Sequence, residues 1–155
     1  MYQKNILYFG KNRLLINTST PTIIQLPKIG DKRGNLSFLE NNSQIPFIIR
    51  RTYWVYDVPG GESRGGHAYR KSEEFIVALS GSFDVILDDG IEQKAFSMNR
   101  SYYGLYVPNM YWREINNFST NSLALIVTNT EYNDDDYIRD YDNFCSLKKN
   151  DKINS

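Results

Sequence analysis

Short runs rich in apolar and aromatic residues, bounded by turns with Gly, Pro or Asp, recur along most of the chain, and these runs predict β-strands. A short edge strand is predicted over 22–26, between Pro21 and Pro27, because proline interrupts strand pairing. Further strands are predicted over 46–58, 75–79, 83–87, 92–98, 104–107 and 123–128, with hairpin turns at Ser80-Gly81-Ser82 and Asp88-Asp89-Gly90. Seven or more strands this close together indicate a sandwich or a barrel.

The last part of the chain has a different pattern. Tyr137, Ile138, Tyr141 and Phe144 recur at roughly helical spacing. The acidic run Asn133–Asp136 just before them is suited to capping a helix, and a metal-binding loop is the alternative. The pattern predicts a short C-terminal helix, with a Lys- and Asn-rich end that frays. Lys28–Asn35, with Gly30, Asp31 and Gly34, is predicted as a turn.

The chain of 155 residues is long enough for one domain with a substantial core. We predict a lead-in over 1–20, the folded β domain over 21–145 and a polar tail over 146–155. No apolar run approaches the ~20 residues of a membrane span, and the first residues do not have the pattern of a signal peptide. A cytoplasmic protein is therefore expected.

Charge and composition exclude several function classes. Lys plus Arg and Asp plus Glu both number 18, which argues against a nucleic-acid surface or an anionic-membrane binder. The single Cys excludes a disulfide framework within the chain, and the single His excludes a three-histidine metal site. Aromatic residues are 14% of the chain, with 12 tyrosines, as a β-rich fold with half-buried rings would have.

The only histidine lies where a glycine-rich segment gives way to a strand, in Arg64-Gly65-Gly66-His67-Ala68-Tyr69. Residues two apart on a strand face the same side, so His67 and Tyr69 would point together into a barrel. A structural role, with the imidazole bonded to a backbone carbonyl, is the alternative.

The same segment resembles the first motif of the cupin superfamily, with Gly61, His67, Tyr69, Glu73 or Glu74, and Gly81 at the motif positions. The stretch from Gly104 to Trp112-Arg113 resembles the second motif. Metal-binding cupins have further histidines where this chain has Tyr69 and Trp112-Arg113. One imidazole and one carboxylate make a poor zinc or iron site, so no metal and no cofactor are expected.

A longer series of motifs resembles the sugar-nucleotide 3,4-ketoisomerases over most of the chain, from about Gln25 to Phe144. The segments that carry the resemblance are Arg33–Leu36, Ile45–Phe47, Arg51–Tyr53, Tyr56–Gly61, Arg64–Ala68, Leu87–Gly90, Tyr103–Pro108, Trp112–Glu114 and Asp136–Phe144. The resemblance implies an all-β cupin, that is a jelly-roll β-barrel, with a short C-terminal helix. It also implies a homodimer that acts on dTDP-4-dehydro-6-deoxyglucose in making a 3-amino-3,6-dideoxy sugar for a glycan such as the O-antigen of lipopolysaccharide. No nucleic acid and no membrane are expected as partners.

A 3,4-ketoisomerase moves a carbonyl from C4 to C3 and needs a base and a neutral proton carrier. His67 is the only imidazole and titrates near neutral pH, so it is the expected base, with Glu73 or Glu74 to orient it. Tyr53 matches the family position of the proton carrier, although it could be one more core ring. The residues expected to bind the substrate are Arg33, Arg51, Arg64, Tyr69 and Arg113, with Arg64 ranked first of the arginines for the pyrophosphate.

The chain departs from the family at Tyr69, because the family usually has a second histidine there. A phenol can still donate a hydrogen bond, but it is a much weaker base near neutral pH. The C4 configuration of the product depends on the placement of groups around His67, Tyr69, Arg33 and Arg113, and both configurations stay open. The alternative functions are a 3,5-epimerase of the same sugar nucleotides and a catalytically silent binder of them.

Overall fold

The computed structural model describes residues 18–153, and it consists of two five-stranded antiparallel sheets, one two-stranded hairpin and a C-terminal helix. The elements are β1 Thr22–Gln25, β2 Ile29–Asp31, β3 Gly34–Leu36, β4 Arg51–Tyr56, β5 Arg64–Tyr69, β6 Glu74–Ser80, β7 Phe83–Asp88, β8 Gln93–Met98, β9 Tyr103–Val107, β10 Trp112–Asn116, β11 Leu123–Thr128, β12 Tyr137–Ile138 and α1 Tyr141–Ile153. The first sheet has the strand order β1-β9-β6-β11-β4, and the second has the order β12-β5-β10-β7-β8. The prediction of an all-β, cupin-like fold with a short C-terminal helix is confirmed.

The main core lies between the two sheets and follows from the period-two pattern of the strands. Ile76 and Ala78 on β6 alternate with Phe75 and Val77, so only the first pair packs into the interior. The second sheet contributes the inward residues of β7 and β10. The buried members of this core are Ile76, Ala78, Phe83, Val85, Leu87, Met98, Leu105, Val107, Ile115, Ala124 and Ile126. Side chains fill this part of the barrel and leave room for a site elsewhere in it.

A second apolar cluster covers the outer face of the first sheet. Phe75 and Val77 pack there against Ile45 and Phe47, which belong to the segment between β3 and β4. The long strand predicted over 46–58 is therefore too long, since β4 begins only at Arg51. The apolar residues before it are buried as a cover over the sheet, and sequence hydrophobicity does not distinguish this from strand pairing.

The C-terminal region differs from the prediction in where its helix begins. Asn133 does cap a turn, because its side chain accepts from the Asp135 backbone N–H, but the turn is one 3-10 turn over Asp134–Asp136. Tyr137–Ile138 then pairs with β5 as the strand β12, opposite Tyr69 and Ala68. The apolar spacing that predicted helix through 137 and 138 is thus overridden by tertiary pairing.

The helix itself begins at Tyr141 and continues to Ile153, so it reaches well past the expected end at Phe144. Asp140 Oδ1 accepts from the backbone N–H of Asn143 at its start. Phe144 is fully buried with Trp112 and Ile138 on the outer face of the second sheet. No helix among residues 18–153 is long and apolar enough to cross a membrane.

Other local predictions have mixed outcomes. The hairpin turns at Gly81 and Gly90 are confirmed, with φ of 63° and 87°. The predicted turn over 28–35 is a small hairpin made of β2 and β3. The division into lead-in, domain and tail stays a prediction, and most of the lead-in, 1–17, lies outside the described residues.

Candidate active site

One end of the barrel interior holds a cavity of about 310 Å³. Its lining brings together all but one of the residues predicted to be catalytic or to bind the substrate. The residues are Arg51, Tyr53, Val55, Arg64, Gly65, His67, Tyr69, Arg113, Tyr132 and Tyr137. Arg51, Tyr53 and Val55 alternate along β4 and so share its inward face. Both sheets contribute, because β5 and β10 supply His67 and Arg113.

A bulge in β5 sets the direction of His67. The pairing of β5 with β10 shifts register between Arg113, opposite His67, and Glu114, opposite Gly65, so Gly66 is the extra residue. Gly65 and Gly66 have φ of 94° and 71°, which side-chain-bearing residues rarely adopt. A Cβ on Gly65 would lie 2.6 Å from the carbonyl oxygen of Arg113. Gly65 therefore allows β5 to approach β10 closely, and the bulge that both glycines make possible turns the imidazole inward.

The imidazole of His67 is held in its neutral form. Burial and the nearby Arg113 guanidinium lower the pKa of His67 to about 3. Its Nε2 lies 3.1 Å from Arg113 Nη2, and a guanidinium nitrogen can only donate, so Nε2 accepts. The ring also hydrogen-bonds the backbone of Gly65. A pKa near neutrality was expected, and the lower value means that the resting site presents an unprotonated base.

Behind the imidazole lies a buried ion pair that the sequence left unresolved. Arg113 Nε lies 2.7 Å from Glu74 Oε2, and Arg113 Nη2 lies 3.2 Å from Glu74 Oε1. Both side chains are almost entirely buried. Burial, the largest single effect, would lower the pKa of Arg113, but the Glu74 carboxylate together with the Tyr53 and Tyr69 phenols outweighs it and the pKa is raised. Of the two candidate carboxylates, Glu74 is the one in the site, and it reaches His67 only through Arg113.

Tyr53 completes this network. Its hydroxyl donates to Glu74 Oε1 at 2.5 Å and lies 3.3 Å from Arg113 Nη2. Burial and the Glu74 charge raise the pKa of Tyr53 far above its ordinary value. The phenol therefore stays protonated at every physiological pH. One guanidinium nitrogen, Arg113 Nη2, thus connects the candidate base with the candidate proton carrier.

Tyr69 and Tyr137 form an aromatic wall beside the imidazole. Their ring centroids lie 4.8 Å and 5.0 Å from that of His67, and 4.7 Å from each other. Burial raises the pKa of Tyr69, and its hydroxyl hydrogen-bonds to Tyr137 and Tyr53. The position where the resemblance implied a second imidazole therefore holds a neutral phenol. The sequence did not single out Tyr137, since its place depends on the pairing of β12 with β5.

The predicted arginines are not equivalent. Arg51 and Arg64 line the cavity, and the Arg51 guanidinium lies above the rings of Tyr53 and Tyr132, 5.4 Å and 5.6 Å from their centroids. Arg51 Nε is buried without a hydrogen-bond partner among the described residues. Arg33 instead lies between β2 and β3, exposed and paired with Asp31, and it does not line the cavity.

In the part of the chain that the structure describes, no three His, Cys, Asp or Glu side chains come close enough to hold a metal ion. Catalysis without metal or other cofactor stays a prediction. The acidic run offered as a possible metal loop makes structural contacts: the Asp136 carboxylate accepts from the backbone N–H groups of Lys71 and Ser72.

The chain is similar to known proteins over most of its length. Residues 19–149 match the family model described as "FdtA: WxcM-like, C-terminal". A TDP-4-oxo-6-deoxy-alpha-D-glucose-3,4-oxoisomerase from Aneurinibacillus thermoaerophilus is 42% identical over 122 residues, which cover 79% of this chain and 88% of that protein.

Two solved structures are also similar. The first is a mutant of the 3,4-ketoisomerase QdtA from Thermoanaerobacterium thermosaccharolyticum, in complex with TDP-4-keto-6-deoxyglucose. It is 31% identical with a TM-score of 0.82, over 84% of this chain and 94% of that one. The second is the WlaRB TDP-quinovose 3,4-ketoisomerase from Campylobacter jejuni, 38% identical with a TM-score of 0.79, over 83% and 98%. The predicted family and reaction class are confirmed: the chain belongs to the FdtA-like family of cupin 3,4-ketoisomerases that act on TDP-linked sugars.

Proposed function

We propose that this protein moves the keto group of dTDP-4-dehydro-6-deoxyglucose from C4 to C3 through an enediol. The observation that carries the proposal is the shared contact of Arg113 Nη2 with His67 Nε2 and the Tyr53 hydroxyl, at the wall of one cavity. A neutral imidazole and a protonated phenol, held side by side, are the base and the proton carrier that the reaction needs. The product is a 3-keto sugar, from which an aminotransferase can make a 3-amino-3,6-dideoxy sugar.

The chemistry is an internal oxidation and reduction. The C4 ketone acidifies the hydrogen on C3. His67 Nε2 gives up its hydrogen bond from Arg113 Nη2 and removes that hydrogen as a proton, while electrons move onto O4. Tyr53 handles the proton that travels from O3 to O4, and the protonated imidazole then gives a proton to C4. The positive charge of Arg113 stabilises the enediolate. The base and the carrier end as they began.

The substrate's pyrophosphate is the group that Arg51 and Arg64 are placed to bind. Arg51 has a buried Nε–H without a partner among the described residues, and a phosphate oxygen would satisfy it. Arg64 is exposed where β5 begins at the cavity. Arg113 is paired with Glu74 and contacts His67 and Tyr53, so we assign it to the reacting end of the substrate. A contact of Arg33 with the substrate remains a prediction.

The test is incubation with dTDP-4-dehydro-6-deoxyglucose in heavy water, followed by proton NMR of the sugar. We expect a 3-keto product with deuterium at C4, in full or in part, because the protonated imidazole can exchange with solvent. C5 should stay protonated beyond the control without enzyme. Enzyme-dependent label at C5 would indicate a 3,5-epimerase, and no change at C3 or C4 would indicate a silent binder.

We also propose that the protein is a homodimer formed through the outer side of β4. This strand is the last in the first sheet, so one of its edges is unpaired among the described residues. Trp54 and Tyr56 are each 58% exposed on its outer face, and Leu79 beside them is 45% exposed. In a dimer with a two-fold axis, β4 of one copy would lie against β4 of the other, and each copy would cover this patch on its partner.

Light scattering at micromolar concentration tests the dimer. We expect twice the chain mass of 18.1 kDa for the wild type, and the single chain mass after Trp54→Ser combined with Tyr56→Ser. Ile91→Ser is the matched control, because Ile91 is 74% exposed in the turn between β7 and β8. A monomeric wild type would refute the dimer, and an unchanged mass of the double variant would refute this interface.

A further inference from the structure

The Tyr53 hydroxyl has one proton, and in this structure that proton is directed away from the cavity. It points to Glu74 Oε1, while Arg113 Nη2 donates toward the phenol oxygen. A phenol has one donor hydrogen and two acceptor lone pairs, so one lone pair faces the cavity. The Tyr69 hydroxyl hydrogen-bonds to Tyr53 there, and a sugar hydroxyl would take its place. Tyr53 therefore meets a bound sugar as an acceptor of a hydroxyl proton. It cannot give a proton to O4 until another group has returned one to it.

Glu74 is the group that the geometry supplies. It is 1% exposed, at the first position of β6, and its partners are Tyr53 and Arg113. Its neighbour Glu73 has a different environment: it is half-buried and hydrogen-bonds to Tyr106, a member of the outer-face cluster. Glu73 lies just before β6 and its side chain is on the other face of the sheet, so the two carboxylates are separated. Only Glu74 can exchange a proton with the site.

We propose that Glu74 is a positioning residue that acts through Tyr53 as the temporary holder of the hydroxyl proton. This inference rests on the proposed function. As His67 takes the C3 proton, the electrons of the C3–H bond form the C3–C4 double bond and those of the C4 carbonyl move to O4. The O3 proton moves to the Tyr53 oxygen, and the proton of Tyr53 moves to Glu74. The sugar is then the doubly ionised form of the enediol, beside the positive charges of His67 and Arg113.

The second half of the reaction reverses this relay. Glu74 returns its proton to Tyr53, and Tyr53 delivers one to O4. The C3 carbonyl forms as the double bond takes the proton held by His67 at C4. One proton has passed from C3 to C4 and one from O3 to O4, and no external oxidant or reductant is consumed. The fixed charge of Arg113 keeps Glu74 oriented during both transfers.

A double-mutant cycle tests the relay. Glu74→Gln keeps the shape and an acceptor oxygen but cannot hold the proton. We expect it to lower kcat by about 100-fold or more, as loss of a general acid–base group does, with dTDP affinity within about threefold of wild type. In the Tyr53→Phe background the same change should cost nothing further, because the relay already lacks its hydroxyl. Glu73→Gln, the control on the outer face, should leave kcat unchanged.

Two results would overturn the proposal: near wild-type kcat for Glu74→Gln, or the same loss of kcat with and without the Tyr53 hydroxyl. The second result would mean a purely structural role. Because Glu74→Gln leaves the buried Arg113 charge unpaired, it can fail to fold, and melting temperature and dTDP binding report this. In that event Glu74→Asp, which retains the charge but shortens the reach to Tyr53, enters the same cycle. An equal loss of kcat with and without the Tyr53 hydroxyl would again overturn the proposal. Absence of isomerisation by the wild type would instead refute the proposed function itself.

Discussion

The ionisation of His67 is the property of this site that is easiest to observe, since the chain has one histidine. We expect its imidazole to remain neutral at every pH well above about 3 in the ligand-free protein, because burial and Arg113 both disfavour the cation. In a titration followed by NMR, the chemical shifts of the imidazole should stay those of the neutral ring as the pH falls through 6.5. A midpoint near 6.5, the ordinary value, would contradict the arrangement of Arg113 against Nε2.

Replacement of the same residue tests its role as the base. His67→Asn should abolish turnover, because asparagine can keep a hydrogen bond but cannot accept the C3 proton. The affinity for dTDP should change little, since the groups proposed for the pyrophosphate are Arg51 and Arg64. Turnover by NMR and dTDP affinity by calorimetry give the two readouts. Near wild-type turnover would exclude the mechanism.

Arg51 is expected to contribute affinity. Arg51→Gln should weaken dTDP binding by about tenfold or more, because it removes a charge-assisted contact worth roughly 1.5–3 kcal/mol. Calorimetry measures the change. Arg100→Gln is a suitable control, since Arg100 is exposed and bonds only to the Asn99 carbonyl among the contacts described. Equal affinities of the two variants for dTDP would mean that Arg51 does not bind the pyrophosphate.

The identities of most site residues could be predicted from the sequence, but their relations could not. Arg113 was expected on the pyrophosphate, and it lies instead between Glu74 and His67. The contact of Arg113 with Glu74 joins residues that are 39 positions apart and on different sheets, and no local sequence pattern encodes it. Arg33 has the opposite outcome, because its motif is present but its side chain is paired with Asp31 outside the cavity.

At the scale of the elements, the bulge in β5 is the feature on which the site depends most. Gly65→Ala would place a Cβ 2.6 Å from the Arg113 carbonyl oxygen, on a backbone with φ of 94°. We expect a lower melting temperature and a lower kcat, because β5 must move away from β10 and take His67 with it. Thermal unfolding and turnover measure both.

Gly66→Ala separates this clash from backbone strain. Gly66 also has a positive φ, 71°, but a Cβ there would meet nothing within 4 Å. This control should cost only the strain of a left-handed residue, about 1–2 kcal/mol of stability, with a smaller effect on kcat. If both variants lose the same stability and activity, close approach of β5 and β10 is not what positions the imidazole.

The elements themselves were predictable where a strand is a local apolar run bounded by polar turns. β11 was predicted at its observed bounds, 123–128, because its apolar residues and flanking polar turns are local signals. β12 was missed because it has only Tyr137 and Ile138, and they form a strand only beside β5. The segment before β4 was misassigned for a related reason, since it is apolar through contact with the outer face of a sheet.

For the molecule as a whole, the buried imidazole makes stability depend on pH. The pKa of His67 is about 3 in the folded state and 6.5 unperturbed, so between these values the unfolded chain binds more protons. The free energy of unfolding should therefore fall as pH decreases through this window. Well above pH 6.5 the imidazole is neutral in both states, and His67 causes no loss of stability. Between pH 6.5 and 5, the loss due to His67 is about 2 kcal/mol.

Urea unfolding of the wild type and of His67→Asn at both pH values isolates this contribution, because the carboxylates titrate alike in the two proteins. The wild type should lose about 2 kcal/mol more than the variant on acidification. Equal losses would mean that the imidazole ionises as readily in the folded protein as in the unfolded chain.

The ion pair of Glu74 and Arg113 has one more consequence, since its members belong to different sheets. It links the two sheets of the barrel at the site where the reaction takes place. The halves cannot separate there without breaking the contacts that align His67 with Tyr53. Turnover therefore reports whether the two sheets are still in contact at the site. On slow heating, activity should disappear while the strands are still intact.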